Sequence, residues 1–121
     1  MDLTRLVAAG LPALFIAACT TTGASGGLTD DARSLVTTSY RCQEALGREP
    51  HFSAIESSET VLRHLGSSPE QADGTVRGWL RELIASSHKP NDLDAATCRD
   101  TLLKQAEKLR IGNERLRRRP A

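Results

Sequence analysis

The chain has 121 residues, which is the length of one small domain, and its charged side chains give a formal net charge of only +1. This near-neutral charge argues against a nucleic-acid partner, because a phosphate-binding protein normally has a clear excess of basic residues. A domain of this size buries only a modest fraction of its surface, so a covalent cross-link would help to stabilise it.

The first 18 residues have the pattern of a bacterial signal peptide. Arg5 supplies a positive charge, and the apolar stretch 6–18 is too short to span a bilayer but has the length of a signal h-region. The segment 16–19, with the sequence IAAC, resembles the lipobox of bacterial lipoproteins, in which the cysteine receives lipid. The sequence therefore predicts removal of residues 1–18 and lipidation of Cys19. The alternative is an ordinary secretory signal followed by an incidental cysteine.

Residues 20–27 contain only Thr, Gly, Ala and Ser, so they have nothing apolar to bury and are predicted to be flexible. With the lipidated cysteine they form a tether, 19–27, whose reach is about 15 Å. Acyl chains on Cys19 would hold the following domain near a membrane. Thr20 follows the cysteine, whereas an Asp there retains many lipoproteins in the inner membrane. We therefore expect an outer-membrane lipoprotein on the periplasmic face.

A helical domain is predicted over residues 28–112, and its first helix begins at Thr29. Thr29 can cap the helix N-terminus, and the two aspartates after it suit the positive end of the helix dipole. Gly47 can end the helix in the left-handed conformation. One face recurs at helical spacing and is predicted to point inward. It comprises Ala32, Leu35, Val36, Ser39, Cys42, Gln43 and Leu46.

The second helix is predicted to open at Ser53 and to end at Gly66. Pro50 interrupts the helical pattern before it, and Ser53 and Glu56 have the S-x-x-E spacing of a capping box. Its apolar face is thin, so we expect this helix to depend on its neighbours for stability. That face comprises Ile55, Ser58, Val61, Leu62 and Leu65.

The third helix has the clearest start, because residues 68–71 (SPEQ) combine an N-cap serine, a proline at the first helical position and a capping-box glutamine. Gly74 and Gly78 interrupt its otherwise strong amphipathic pattern, each at a cost of about 1 kcal/mol relative to Ala. They indicate tight packing against another helix, a helix break, or a ligand groove. The apolar face comprises Ala72, Val76, Trp79, Leu80, Leu83, Ile84 and Ser87.

The fourth helix is predicted to begin near Asn91 or Asp92, with Asp94 in its first turn, and to end at Gly112. Residues 113–121 form a basic tail with four arginines. Such a tail either contacts anionic lipid phosphates or remains a frayed, solvated end. The inward stripe of the helix comprises Ala95, Cys98, Leu102, Ala106 and Leu109.

The three cysteines are predicted to have two different roles, one in lipidation and two in a disulfide. Lipidation would use Cys19 and leave Cys42 and Cys98 as an even pair in an oxidising compartment. Both lie on the inward faces of their helices, so a disulfide would join the first helix to the fourth. Closing a loop of this size stabilises the fold by about 4 kcal/mol in the chain-entropy model. Two buried free thiols are the alternative.

Motifs for catalysis, cofactor binding or metal binding are not found in the sequence. There is no nucleophile elbow and no glycine-rich phosphate loop. His51, His64 and His88 are scattered, without the spacing of zinc ligands, and we interpret each as a surface or interface residue. We therefore expect a binding or structural protein with no cofactor, not an enzyme.

Several features together resemble the pilotin lipoproteins of type II secretion systems (PulS/OutS type). They are the lipobox at Cys19, the short tether, four helices, and two cysteines that would link the end of the first helix to the fourth. The local sequences are Tyr40-Arg41-Cys42 and Ala96-Thr97-Cys98. The separation between these two cysteines is also close to that in the family. The resemblance covers most of the mature chain through its layout.

The resemblance implies a specific partner, the C-terminal segment of a secretin, which folds into a helix on binding. The lipoprotein sorting machinery would then carry the pair to the outer membrane. An amphipathic helix binds by placing its apolar face in a cleft between helices. Our candidates for this cleft lie on the first and third helices, and core packing is the alternative for each. They are Leu35, Val36, Tyr40, Val76, Trp79, Leu80 and Leu83.

Two other classes of protein share this layout. One is a periplasmic immunity lipoprotein that neutralises a toxin through charged and polar surface residues. The other is an envelope scaffold lipoprotein with no single partner. The identity of the bound protein separates these possibilities from a pilotin.

Overall fold

The structure, a computed structural model, describes residues 27–86 and 93–119. The predicted signal peptide 1–18, the lipidation of Cys19 and all but the last residue of the tether lie outside these ranges, as does His88. The described residues form α-helices and short turns, without a β-strand. The prediction of an all-α fold is therefore confirmed.

The predicted first helix is present as two segments, and it is already helical at residue 27, so the predicted start with Thr29 as the N-cap is wrong. The backbone turns at Cys42, which has φ −97° and ψ 5°, yet the amide of Leu46 still donates to the carbonyl of Cys42 at 2.9 Å. Gly47 has φ 85° and ends the second segment, as predicted. The helices are α1 (27–41), α2 (Gln43–Leu46), α3 (Glu49–His64), α4 (Pro69–Ala85) and α5 (Ala95–Arg118).

The predicted start of the second helix at Ser53 is wrong. Helix α3 begins at Glu49, and Pro50 occupies its first turn instead of preceding it. The first amides of a helix have no acceptor within it, so a proline there loses no hydrogen bond. The C-terminus agrees with expectation, because Gly66 adopts φ 114° and Ser67 donates its amide to the carbonyl of Leu62 at 3.0 Å.

Helix α4 begins as predicted and is not broken. Ser68 accepts from the amide of Gln71 at 3.1 Å, and the Gln71 side chain accepts from the amide of Ser68 at 2.8 Å. Gly74 and Gly78 both lie within the continuous helix, and no backbone approaches within 4 Å of where their Cβ atoms would be. Neither the predicted break nor close packing against another helix explains these glycines.

Helix α5 starts later and ends later than predicted. Asp94 is its N-cap and accepts from the amide of Thr97 at 2.7 Å, which lowers the pKa of Asp94. Gly112 does not end the helix, which continues to Arg118. Instead, Gly112 lies so close to α1 that a Cβ atom would be 2.8 Å from Cδ1 of Leu28. A glycine near the end of a pattern can mark close approach as well as a C-cap.

Helices α1 and α5 run antiparallel. At one end, which we call the disulfide end, Cys42 and Cys98 form a disulfide with Cα atoms 5.9 Å apart. At the other end, which we call the tether end, the described part of α1 starts at residue 27 and Gly112 lies against Leu28. Between them, Lys108 and Asp31 form a salt bridge of 3.2 Å. The predicted disulfide is thus confirmed.

Helix α3 runs parallel to α5 and ends near the tether end, where His64 Nδ1 lies 2.8 Å from the Asn113 side-chain oxygen. Helix α4 returns beside α3, and an exposed ion pair between Arg33 and Glu82 connects α1 with α4. The core between these helices matches most of the predicted faces, but Ile84 and Ala106 are exposed, and Ala54 is buried although no predicted face includes it. Ser87 lies outside the described residues. Its buried members are Ala32, Leu35, Val36, Ala54, Val61, Leu62, Ala72, Val76, Trp79 and Leu109.

A buried polar pair also joins α1 to α3. Ser39 and His51 are only 1% and 5% exposed, and Ser39 Oγ lies 2.9 Å from His51 Nδ1. Ser39 also donates its hydroxyl to the carbonyl of Val36 at 2.9 Å, so the imidazole N–H donates to Ser39 in the arrangement that satisfies both contacts. The sequence predicts a surface or interface position for each histidine, and His51 lies buried between α1 and α3 and not at the surface. Burial lowers the pKa of this side chain.

Replacing both cysteines tests the contribution of the disulfide. We expect Cys42→Ser/Cys98→Ser to lower the free energy of unfolding by about 4 kcal/mol, because the unfolded chain regains the entropy that the closed loop removes. Urea unfolding followed by helical circular dichroism measures this difference. Wild-type protein kept under reducing conditions is the control and should lose a similar amount. An unchanged unfolding midpoint in both samples would contradict this account.

The His51 pair predicts a pH dependence of stability. Because the folded state lowers the pKa of His51, the unfolded chain binds the proton first as the pH falls. The contribution of this pair to the free energy of unfolding is complete above about pH 6.5. It decreases toward pH 5 by at most about 1.4 kcal/mol per pH unit. We expect the free energy of unfolding of His51→Gln to depend less steeply on pH than that of the wild type. Urea titrations at several pH values between 7.5 and 5 measure this dependence. The control variant Ile84→Gln, at an exposed site without a titratable side chain, should keep the wild-type slope.

Candidate functional site

The seven predicted partner-binding residues lie mainly in the interior. Tyr40 and Leu80 are half-buried, and the ring of Tyr40 meets His51 edge-on with centroids 5.8 Å apart. The other five are at most 8% exposed, so they do not line an open cleft between α1 and α4. These five are Leu35, Val36, Val76, Trp79 and Leu83.

An open apolar groove is present elsewhere, between α3 and α5. Its volume is about 200 Å³, and Leu35 of α1 lies at its floor. Its walls are apolar or small, and Leu103 on its α5 wall is 71% exposed. We call this the α3–α5 groove. Its walls are Pro50, Ser53, Ala54, Ser57, Leu102, Leu103 and Ala106.

The side chains of α3 explain why this groove is open. Ser53, Ala54 and Ser57 are all small, so α3 cannot fill the space beside α5. Ala106 of α5 is equally small and lies on the opposite wall. Parallel helices normally approach until their side chains interdigitate, and small residues on both helices leave an unfilled channel at the surface. The thin apolar face of α3 is therefore one reason why the groove is open.

A pocket of about 300 Å³ with both polar and apolar lining residues continues the groove toward the tether end and shares Leu35, Ser57 and Ala106 with it. On its α5 side, Arg110 donates to Glu107 at 3.1 Å and to Glu114 at 2.8 Å. The hydrogen bond from Arg110 lowers the pKa of Glu107, and both carboxylates raise the pKa of the guanidinium. The arginine is thus charged and held in place by neighbours on its own helix.

The two parts of the groove have a size that suits a short helix. From Leu102 to Asn113, α5 rises about 16 Å, which corresponds to three turns of a bound helix. One end offers apolar contacts around Leu103, and the other offers hydrogen-bonding groups such as Thr60 and Asn113. A helix with an apolar face at one end and polar groups at the other matches this lining.

Some features of this groove were visible in the sequence. Leu35, Leu102 and Ala106 were predicted on inward faces, and Leu35 was a predicted partner contact. Leu103 was missed, because it lies outside the helical stripe that points to the core. A leucine off the stripe, beside small residues on a neighbouring helix, is the pattern that could have indicated it.

The Ser39–His51 pair is buried, so a substrate cannot reach the Ser39 hydroxyl. Within residues 27–86 and 93–119, no cluster of three or more His, Cys, Asp or Glu side chains has the geometry of a metal site. No helix in those same ranges is both long and apolar enough to cross a membrane.

Comparison of the chain with protein-family models, curated proteins and solved structures finds no match.

Proposed function

We propose that the protein is a lipid-anchored adaptor of the pilotin kind, which binds the C-terminal segment of a secretin as a helix in the α3–α5 groove. The observation that carries the proposal is the open, apolar part of this groove beside the exposed Leu103. A large leucine that is mostly exposed at the rim of a groove offers apolar area that a partner can bury. Five of the seven partner-binding residues predicted from the sequence offer little such area, because each is at most 8% exposed.

Helix-in-groove binding requires contacts strong enough to offset the ordering of a disordered segment. Leu103 and Leu102 supply an apolar wall, Pro50 supplies a rigid one, and Leu35 closes the floor. A secretin segment with apolar residues at helical spacing would bury this surface. Its remaining polar residues would lie over the pocket that contains Thr60 and Asn113.

The fold supports binding by keeping the groove rigid. The disulfide fixes the first turns of α5 beside α2, and Leu102 lies one turn beyond Cys98. The His64–Asn113 contact holds α3 and α5 together at the other end of the groove. A binding surface that is already formed loses less entropy when its partner arrives, so more of the contact energy appears as affinity.

Delivery of the partner rests on the lipid at Cys19. The lipoprotein sorting machinery would carry the anchored adaptor and its secretin segment to the outer membrane. This step predicts a processed chain that begins at residue 19 and carries acyl chains. Intact-mass measurement of protein extracted from cell envelopes tests it directly. A mature chain without acyl groups would leave the groove but remove the delivery role.

Substitution at the rim of the groove tests partner binding. We expect Leu103→Glu to weaken binding of a synthetic secretin C-terminal peptide by at least about tenfold, because it places a charge where apolar area would be buried. Ile84→Glu is the matched control, since Ile84 is a similarly exposed aliphatic residue at 64% but lies on α4, away from the groove. Titration calorimetry with the full chain in detergent measures both affinities.

Two experimental results would contradict the proposal. Equal affinity of wild-type and Leu103→Glu protein for the peptide would show that the α3–α5 groove is not the binding site. No binding of the peptide by wild-type protein, together with co-purification of a toxic hydrolase from the source bacterium, would favour the immunity lipoprotein instead.

A further inference from the structure

Helix α5 carries its positive charge to the tether end of the domain. Because the helix continues past Gly112, its last two turns present Arg115, Arg117 and Arg118, and Arg119 follows as the C-cap. All four are exposed. Cations near a helix C-terminus also interact favourably with the helix dipole, but that effect does not determine which neighbouring element they face.

The neighbouring element is the start of α1, where the predicted tether joins the domain. A cleft of about 290 Å³ lies between the two helices and the end of α3. Leu28, Leu65 and Leu116 give it an apolar lining, and Arg115 and Arg119 flank it. Gly112, Arg115, Leu116 and Arg119 are spaced three and four residues apart and therefore share one face of α5.

The charge at this cleft is not neutralised by its surroundings. Glu114 already accepts from Arg110 at 2.8 Å and lies 3.8 Å from Arg118, and Asp31 of the cleft pairs with Lys108 at 3.2 Å. Arg115, Arg117 and Arg119 form no ion pair with any other residue that the structure describes. Guanidinium groups beside an apolar cleft match a phospholipid, which carries an anionic phosphate next to its apolar acyl chains.

We propose that the tether end of the domain binds the surface of an anionic bilayer. Arg115 and Arg119 contact lipid phosphates, and the leucine-lined cleft that they flank faces the boundary between head groups and acyl chains. A tether of this length keeps the domain within about 15 Å of the lipid, so the arginine end and the anchor reach the same membrane. The proposal rests on the proposed function only for this attachment, and it is independent of partner binding.

Hydrogen exchange on vesicles tests the surface. The full chain is reconstituted in vesicles of phosphatidylcholine alone, or with roughly one-third phosphatidylglycerol to supply negative charge. Amide exchange over residues 112–119 is then followed by mass spectrometry. We expect it to be at least about fivefold slower on the anionic vesicles, since contact opposes fraying of the last turns. Salt at about 0.5 M should remove the difference by screening.

Two matched variants locate the contact. Arg115→Gln/Arg119→Gln should abolish the slowing. Arg48→Gln/Arg99→Gln should retain it, because this pair removes the same charge near the disulfide end. Equal exchange of the wild-type protein on both vesicles, or equal loss in both variants, would overturn the proposal.

Failure of this proposal can be told apart from failure of the proposed function. The intact mass of the same sample reports whether Cys19 is acylated, so loss of the anchor is distinguished from loss of the surface contact. Titration of the secretin peptide in detergent reports the groove separately, and its affinity should be the same for both pairs of arginine variants.

Discussion

The antiparallel pairing of α1 with α5 is the constraint on which the other features of this domain depend. The Cys42–Cys98 bond fixes one end, and the contact of Leu28 with Gly112 and the salt bridge of Asp31 with Lys108 define the other. With both ends fixed, α5 cannot slide along α1, so its groove-lining residues stay opposite α3. The same pairing brings the end of α5 to the start of α1, where the chain leads toward its predicted anchor.

Small residues serve two different purposes in this fold. Inside the core, Ala32, Ala72 and the buried Ser58 let the helices approach closely, and Ser58 donates its hydroxyl to the carbonyl of Ala32 at 3.2 Å. At the surface, the small residues of α3 that face Ala106 leave the groove open. With few large side chains available, the domain gains stability from close packing and a disulfide more than from apolar volume. The α3–α5 groove therefore stays open where no third helix among the described residues covers it.

The sequence could predict the parts of this structure that follow from local rules. Helical spacing identified the buried faces, and the serine and glutamine around Pro69 identified the start of α4. Pro50 and Gly112 were misread because each residue type has two meanings, and tertiary packing decides between them. The burial of His51 could not be predicted either, since its partner Ser39 lies on another helix. Likewise, small residues indicate that a groove is possible, but not which helices will border it.

The two proposed surfaces share α5 but lie far enough apart to act independently. From Leu103 to Arg115 the helix rises about 18 Å, whereas the screening length at physiological salt is about 8 Å. The arginine charges therefore have little influence on a helix bound near Leu103. A domain that rests on the membrane at its tether end keeps the apolar part of the groove exposed along its side, toward the disulfide end. Attachment and partner binding can then occur together, which an adaptor that carries a client to a membrane requires.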